Sequence, residues 1–184
     1  APPAPVFPVD FFEGTQCITP DVKVGGDILL TTDAESAKLS LVTDDGYIQS
    51  PSMAGFRLTV TNTAPSMVMV GVRIHVGNTS PGHAPVEVTV AGQRVVPLEG
   101  GGRRWWDLPL TQAEALGADR ELVLFLGPAA NPAHAPRLDS IEVHAMTKEA
   151  FGWKEKLEAS DAEAAALGLG LGALSPGGPS PRGR

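Results

Sequence analysis

Cysteine is almost absent from this 184-residue chain, which holds only Cys17. A lone cysteine excludes an intrachain disulfide, and a chain of this size does not need one, so a reducing compartment, the cytoplasm, is expected. Long apolar runs are absent too, because no stretch approaches the roughly 18 residues of a membrane span. The first residues have neither a basic start nor an apolar core, so we predict no signal peptide and no membrane insertion.

Positive charge is scarce as well. The 14 Lys and Arg residues stand against 21 Asp and Glu, which gives a formal net charge of -7. Such a balance repels phosphate backbones and anionic lipid headgroups, so neither nucleic acid nor a membrane surface is expected as a partner.

The composition supports one core of ordinary size, since 42% of the residues are hydrophobic. We predict a Pro-rich N-terminal linker at 1–17, one domain at 18–158, and a flexible tail rich in Gly, Pro and Ala at 159–184. The chain begins with Ala1 rather than Met, which favours a processed chain or a segment of a longer one.

The dominant pattern between the two ends has a period of two. In residues 68–76, apolar side chains alternate with Arg73 and His75, as in a strand that is buried on one face. The same test predicts further strands at 56–60, 86–90 and 141–145. Adjacent turn signals predict strands at 38–42 and 93–96, and segments 104–110 and 121–126 complete the set. Asp45-Gly46 after the 38–42 segment predicts a hairpin turn, because Gly tolerates the positive φ that a type I′ turn needs.

Helices are predicted at three places. Thr111 and Glu114 have the spacing of a capping box, which predicts a short helix between Thr111 and Asp119. Residues 148–157 form a second predicted helix, and a third one opens at Ser160. Strands this numerous and short, with no alternation of strand and helix, indicate an all-β antiparallel β-sandwich or jelly roll with a short C-terminal helix.

Motifs for catalysis are missing from the sequence. None of the four histidines has another His or a Cys at metal-binding spacing, so ordinary surface histidines are favoured over a metal site. Cys17 lacks the local context of a nucleophile, and there is no nucleophile elbow, phosphate-binding loop or zinc-protease motif. The pattern of glycines at 168–172 is interpreted as flexible linker.

The adjacent tryptophans lie on opposite faces of a predicted strand. Trp106 shares the apolar face with Leu108 and Leu110, so Trp105 is directed away from the core. Trp105 then either packs under the predicted helix 148–157 or forms part of a partner-binding surface.

Strand direction locates the most favourable binding surface. If each strand reverses direction, the connections at 50–54, 78–85, 99–103 and 128–136 emerge at one end, and the turns at 44–46 and 91–93 at the other. Functional residues favour long loops held by a rigid scaffold, although the same residues can serve merely as solvated loops with capping roles. The candidate site residues are Asn78, His83, Arg103, Arg104, Trp105, Asn131 and His134.

Several motifs resemble a known family. Residues 66–80 and 136–143, together with Arg104-Trp-Trp-Asp-Leu-Pro-Leu-Thr111 and Phe151-Gly-Trp-Lys-Glu-Lys156, are similar to an internal segment of the giant UBR-box ubiquitin ligases, the family of plant BIG and fly Calossin/Pushover. The resemblance covers roughly residues 18–158. It implies a galactose-binding-like jelly roll of the kind that recurs in ubiquitin-ligase subunits as a substrate or partner module.

The family's UBR box and its catalytic zinc module both need clusters of Cys and His. This chain has one cysteine, so the resemblance implies zinc only in other parts of the parent chain and no cofactor in this segment. The parent is then expected to be a ubiquitin-protein ligase, whereas the segment itself does no chemistry.

Three functions follow as hypotheses. The first is a non-catalytic interaction or scaffolding module that binds protein partners or other domains of the parent ligase. The second is a carbohydrate-binding module that holds a sugar at the loop end. The third, a small hydrolase using a loop histidine, is disfavoured because no nucleophile or paired base accompanies His83 or His134.

Overall fold

The computed structural model describes residues 13–98 and 105–167. The chain divides into two compact units, Ala1–Thr147 and Lys148–Arg184. The first contains all the described strands, and the second contains two helices.

Two antiparallel sheets build the first unit. Its strands are β1 (Gln16–Cys17), β2 (Val22–Gly26), β3 (Ile48–Gln49), β4 (Phe56–Asn62), β5 (Met67–His75), β6 (Glu87–Val90), β7 (Arg94–Pro97), β8 (Trp105–Pro109), β9 (Glu121–Leu126), β10 (Arg137–Leu138) and β11 (Ser140–Thr147). One sheet has the order β1-β11-β5-β8, the other has the order β2-β4-β9-β6-β7, and β10 pairs with β3. The predicted antiparallel β-sandwich is therefore confirmed.

The core forms where alternating apolar residues of the two sheets face inward. In β4 and β9, Leu58 is opposite Leu124 and Val60 is opposite Leu122, and all four side chains are buried. Burying one such side chain contributes about 1.5–3 kcal/mol. Strand β5 is more deeply buried than its alternation predicted, because Met69 on its second face is fully buried as well. This strand lies between β8 and β11, and only Arg73 and His75 keep the predicted polar pattern.

The predicted strand at 38–42 is wrong. Residues Ala34–Val42 form a helix, α1, whose N-cap is Asp33. The Asp33 carboxylate accepts hydrogen bonds from the Ser36 amide (2.8 Å) and the Ser36 hydroxyl (2.9 Å). The ammonium of Lys38 donates to the carbonyls of Pro20 and Val22, at 2.6 Å each. The N-cap and the hydrogen bonds of Lys38 to the segment around β2 thus favour a helix here, although the short alternating pattern predicted a strand.

The Asp45-Gly46 turn consequently follows a helix and does not close a hairpin. The amide of Gly46 donates to the Thr43 carbonyl at 3.0 Å, and Asp45 has a φ of 61°. A Cβ at position 46 would lie 2.2 Å from the Ser40 carbonyl oxygen, so the turn requires glycine.

The predicted capping box is present. It begins the helix α2 (Gln112–Gly117), in which the Glu114 amide donates to the Thr111 hydroxyl and the Thr111 amide to the Glu114 carboxylate. Arg94 of β7 donates to both oxygens of Glu114, at 2.8 and 2.9 Å. Burial raises the pKa of Glu114, but the hydrogen bonds from Arg94 and Thr111 outweigh burial and hold this pKa below its usual value. The helix is thus tied to the edge of a sheet.

The second unit differs in detail from its prediction. Helix α3 (Lys148–Phe151) ends at Gly152, which has a φ of 76°, and α4 (Trp153–Ala166) begins after it. The predicted helix 148–157 is therefore interrupted, and the predicted start at Ser160 is wrong because α4 continues through it. Helix α4 also extends past residue 158, where the predicted domain ends. The linker residues 1–12 and the tail residues 168–184 lie outside the described residues.

None of the helices in residues 13–98 and 105–167 is both long and apolar enough to cross a bilayer.

The loop before β4 requires glycine at position 55. Gly55 has a φ of +117°, and a Cβ there would lie 2.2 Å from the backbone oxygen of Leu126. We expect G55A to lower the free energy of unfolding by about 2 kcal/mol or more, because the new Cβ clashes with backbone that cannot move aside. Urea unfolding followed by circular dichroism measures this change.

Gly92 supplies the matched control for that substitution. It also has a positive φ, +73°, but apart from its chain neighbours no atom lies within 4 Å of the position that a Cβ would take. We expect G92A to cost about 1 kcal/mol, from backbone conformation alone. Equal decreases in the free energy of unfolding for G55A and G92A would contradict the predicted clash between a Cβ at position 55 and the backbone oxygen of Leu126.

Candidate binding site at the loop end

Four segments meet at one end of the sandwich, and we call this region the loop end: residues 43–50, 52–55, 77–86 and 127–139. Backbone hydrogen bonds hold the two longest segments together, from Asn131 to the Gly82 carbonyl (2.9 Å) and from Ala130 to the Ala84 carbonyl (2.8 Å). The Ser50 amide donates to the Pro136 carbonyl at 2.8 Å. Strand parity therefore predicted correctly that the 78–85 and 128–136 connections lie together.

The turn at 44–46 was predicted at the opposite end, and that prediction is wrong. The turn lies beside Asn78, whose amide nitrogen is 3.5 Å from the Asp45 carboxylate. The count of strand reversals failed here because it assumed a strand at 38–42, where α1 stands instead. The turn at 91–93 adjoins α2 and β9, and it follows β6 at the end opposite to the 77–86 loop.

His83 and His134 join the two long loops. Their rings stack with centroids 4.1 Å apart and an angle of 11° between the planes, and the Nδ1 of His83 is 2.7 Å from the Ser80 hydroxyl. Burial lowers the pKa of His83, and the positive charges of Arg137 and His134 lower it further, against an opposing effect of Asp139. The lowered pKa favours the neutral form of His83 in the stack.

A buried carboxylate anchors the start of the 77–86 loop. Asp139 is only 3% exposed. It accepts hydrogen bonds from the amides of Asn78 (3.2 Å) and Thr79 (3.3 Å) and from the Thr79 hydroxyl (2.9 Å). Sequence reasoning did not select Asp139, because a single Asp between two strands carries no spacing signal that distinguishes an anchor from a surface residue.

Trp105 packs against β5 on the face of the sheet that carries Arg73 and His75. Its ring is parallel to that of His75, with an angle of 2° and centroids 4.5 Å apart, and the guanidinium carbon of Arg73 is 4.8 Å from its centroid. The register places Trp105 opposite His75 and Trp106 opposite the buried Ile74. Trp106 is nevertheless only half-buried, because β8 is the edge strand of its sheet.

A pocket of about 440 Å³ lies between the Trp105–His75 stack and the turn that follows α1. Asn78 and Asp139 also line it, together with Asp44 and Asp45 of the turn. Asp44 and Asp45 are exposed, so their carboxylates are available at the mouth of the pocket. None of these three aspartates was predicted as a site residue.

Tyr47 and Arg137 form another contact between distant segments of the loop end. The guanidinium carbon of Arg137 is 4.1 Å from the Tyr47 ring centroid, and its Nε donates to the Gln49 side chain at 2.9 Å. The alternation test did not reveal this pair, because it depends on the pairing of two very short strands, β3 and β10.

The predicted site residues thus fall into two groups. Asn78 and Trp105 line the pocket, whereas His83, Asn131 and His134 belong to the stacked-histidine contact between the loops. Arg103 and Arg104 lie outside the described residues.

Other groups with metal-binding or nucleophilic chemistry lie apart from the loop end and make local contacts. His144 is 3.1 Å from the Glu142 carboxylate, and Cys17 is an exposed free thiol, 3.1 Å from the Thr19 hydroxyl. In the part of the chain that the structure describes, no three His, Cys, Asp or Glu side chains are close enough to hold a metal ion.

Comparison with solved structures finds sandwich domains of low similarity. The family 32 carbohydrate-binding module of C. perfringens NanJ, in complex with galactose, has a TM-score of 0.49 and 6% identity, covering 71% of this chain and 98% of its own. An F5/8 type C domain from Bacteroides fragilis has a TM-score of 0.44 and 12% identity, covering 73% of this chain and 98% of its own. The lectin binding domain of lectinolysin, complexed with Lewis b, has a TM-score of 0.41 and 13% identity, covering 76% of this chain and 98% of its own.

Comparison with curated sequences finds much closer relatives, although no protein-family model matches the chain. The rice (Oryza sativa subsp. japonica) auxin transport protein BIG is 50% identical over 165 residues, 89% of this chain. A "Probable E3 ubiquitin-protein ligase" of Dictyostelium discoideum is 35% identical over 86% of the chain. Protein purity of essence of Drosophila pseudoobscura pseudoobscura is 36% identical over 84%.

The chain spans only 3% of the length of each of these relatives. Its similarity nevertheless runs through most of its own residues, and the relatives include a plant and a fly protein, as the resemblance predicted, and an amoeba protein as well. The chain therefore belongs, as one small segment, to the BIG/Calossin family of giant proteins.

Proposed function

We propose that this segment is a non-catalytic interaction or scaffolding module of a giant ubiquitin ligase. In this role the loop end binds a protein partner or a neighbouring domain of the parent chain. The parent is proposed to act as the ligase in the cytoplasm, and zinc is assigned only to its other parts, with no cofactor in this segment.

The observation that carries the proposal is the way in which the loop end is built. Side chains from segments far apart in sequence are held by directed contacts, namely the His83–His134 stack and the hydrogen bonds to Asp139. A binding surface gains affinity when its groups are ordered before the partner arrives, because less conformational entropy is lost on binding. The two histidines and the buried aspartate hold the loops in place before a partner binds. Ordered loops on a rigid scaffold are suited to binding a protein partner.

The first test uses overlapping purified segments of the parent protein and the 184-residue chain. We expect at least one segment to bind, and the double variant N131A/H134A to weaken binding about tenfold or more, because it removes the ring that stacks on His83 and the Asn131 side chain that accepts a hydrogen bond from the Ala133 amide. Biolayer interferometry measures the affinity, and thermal unfolding confirms that the variant is folded.

The matched control removes two side chains from the outer face of a sheet. Thr61 and Glu121 are opposite each other on β4 and β9, and T61A/E121A should bind as the wild type does. The proposal fails if no parent segment binds, if N131A/H134A binds normally, or if the chain alone accepts ubiquitin from a charged conjugating enzyme.

A sugar ligand is the second candidate, because the pocket combines an aromatic wall with amide and carboxylate groups. Aromatic faces and such polar groups are able to pack against and hydrogen-bond a sugar ring. This alternative predicts hits on a glycan array that disappear in W105A. An array at background level for the wild-type chain would exclude it.

The stacked histidines make the loop end sensitive to pH. The pKa of His83 is lowered in the folded chain by burial, Arg137 and His134, so the unfolded chain binds a proton more readily. Stability is therefore greatest above the ordinary histidine pKa of about 6.5 and is lost as pH falls through that value towards the lower folded-state pKa. We expect partner binding and the free energy of unfolding both to decrease between about pH 7.5 and pH 5.5.

An NMR titration of the His83 ring measures its pKa directly, and H83Q removes the titrating group. We expect the ring to titrate below the ordinary value and H83Q to have a shallower pH dependence. A His83 that titrates at or above the ordinary value, with an unchanged profile in H83Q, would contradict this account.

A further inference from the structure

Arg137 is a cation of the loop end that has no acidic partner in the described part of the chain. It is the first residue of β10, it pairs with Gln49 of β3, and its side chain is half-buried. Among residues 13–98 and 105–167, no Asp or Glu side chain forms an ion pair with it. A guanidinium keeps its charge at every physiological pH, so this group attracts an anion from outside the chain.

Two neighbours hold the guanidinium of Arg137 in one orientation. Its carbon is 4.1 Å from the centroid of the Tyr47 ring, and its Nε donates to the Gln49 side chain at 2.9 Å. The ring contact uses only the flat face of the group, and the bond to Gln49 uses one of its five N–H donors. The four N–H groups on the two Nη atoms make no hydrogen bond within the described residues. They form a planar fork that fits the two oxygens of a carboxylate.

The groups around Arg137 leave its charge open to a partner. Arg137 is close enough to His83 to lower the pKa of that imidazole, so the fork lies near the stacked histidines. Asp139 acts on His83 in the opposite direction, but its buried carboxylate accepts hydrogen bonds from Asn78 and Thr79. The oxygens of Asp139 are thus occupied by these donors and do not pair with the fork.

The charge of the whole chain restricts which anion suits Arg137. A formal net charge of -7 repels polyanions, and the exposed Asp44 and Asp45 lie in the turn just before Tyr47. A single carboxylate meets less repulsion than a run of acidic groups does. Because Arg137 is already oriented, a pair with it loses less side-chain entropy than a pair of two mobile side chains.

We propose that Arg137 receives the carboxylate of one Asp or Glu side chain of the protein partner, in a pair with its two Nη atoms. The inference rests on the proposed function as an interaction module, and it specifies the chemistry of the partner. Tyr47 and Gln49 position the guanidinium, and the nearby stack of His83 and His134 makes the fork part of the same binding surface.

The first test compares two small probes by NMR with the 184-residue chain. They are Nα-acetyl-glutamate amide and its neutral isostere Nα-acetyl-glutamine amide. We expect the glutamate probe to shift the Arg137 Nε–H and Tyr47 ring signals saturably, with at least about fivefold higher affinity than the glutamine probe. The affinity for glutamate should fall as salt is raised from about 50 to 500 mM, because salt screens charges.

Two substitutions of Arg137 separate its fork from its charge. R137Q removes both and should abolish the preference for the glutamate probe. R137K keeps the charge without the fork and should reduce the preference to about twofold or less. The matched control, R120Q, removes an exposed arginine that precedes β9 at the end of that strand away from the loop end, and it should bind the probe as the wild type does. Thermal unfolding establishes that the variants are folded.

The same variants are then measured against the parent segment that binds the chain. We expect R137Q to weaken this binding about fivefold or more. One Asp or Glu of the segment, changed to its amide, should cost as much affinity with the wild-type chain and nothing further with R137Q, because the two groups form one pair. This double-mutant cycle identifies the carboxylate that contacts Arg137.

Equal affinities for the two probes, equal losses of probe binding in R137Q and R120Q, or the absence of any coupled acidic residue in the segment would overturn the inference. If the segment binds R137Q normally, the inference fails while the proposed function stands. If no parent segment binds the chain at all, the proposed function fails, and the inference about its partner fails with it.

Discussion

Asp139 stands between β10 and β11 with its carboxylate surrounded by donors from Asn78 and Thr79. A carboxylate that is withdrawn from water is costly unless hydrogen bonds replace the lost solvation. The 77–86 loop therefore cannot leave its position without exposing an unsatisfied charge. The amide of Asp139 also donates to the His75 carbonyl, so one residue positions both the loop and the strand end that carries the aromatic wall.

Three further contacts at or beside the loop end are made by flat side chains. His83 with His134, Tyr47 with Arg137, and His75 with Trp105 each stack face to face or place a cation over a ring. Each pair joins segments that are far apart in sequence. Stacked pairs hold loops together while their edges stay in contact with water, so order and accessibility coexist at this surface.

Sequence patterns correctly predicted the parts of the fold that depend on local periodicity. Alternation identified β4, β5, β9 and β11, and the spacing of Thr111 and Glu114 identified α2. It failed at 38–42, where the residues fit the period of a strand as well as that of a helix. The cap at Asp33 and the buried pair Ala37 and Leu41, four residues apart, were the signals that favour the helix.

Long-range partners were not predictable from the same patterns. Sequence reasoning put Trp105 on the outer face, but its stack with His75 follows from the register between β5 and β8, which periodicity does not specify. The three aspartates of the pocket come from the turn after α1 and from the junction between β10 and β11. The sequence did not predict that these residues lie close together, because the predicted hairpin put the 44–46 turn at the opposite end of the sandwich.

The hydrogen bonds of Lys38 to the carbonyls of Pro20 and Val22 have a consequence for how other chains can approach. Strand β2 is an edge of the five-stranded sheet, and exposed backbone groups on an edge invite an extra strand, from a partner or from an aggregating copy. Lys38 occupies carbonyls at this edge and places a positive charge there. The start of this edge is thereby guarded against strand addition.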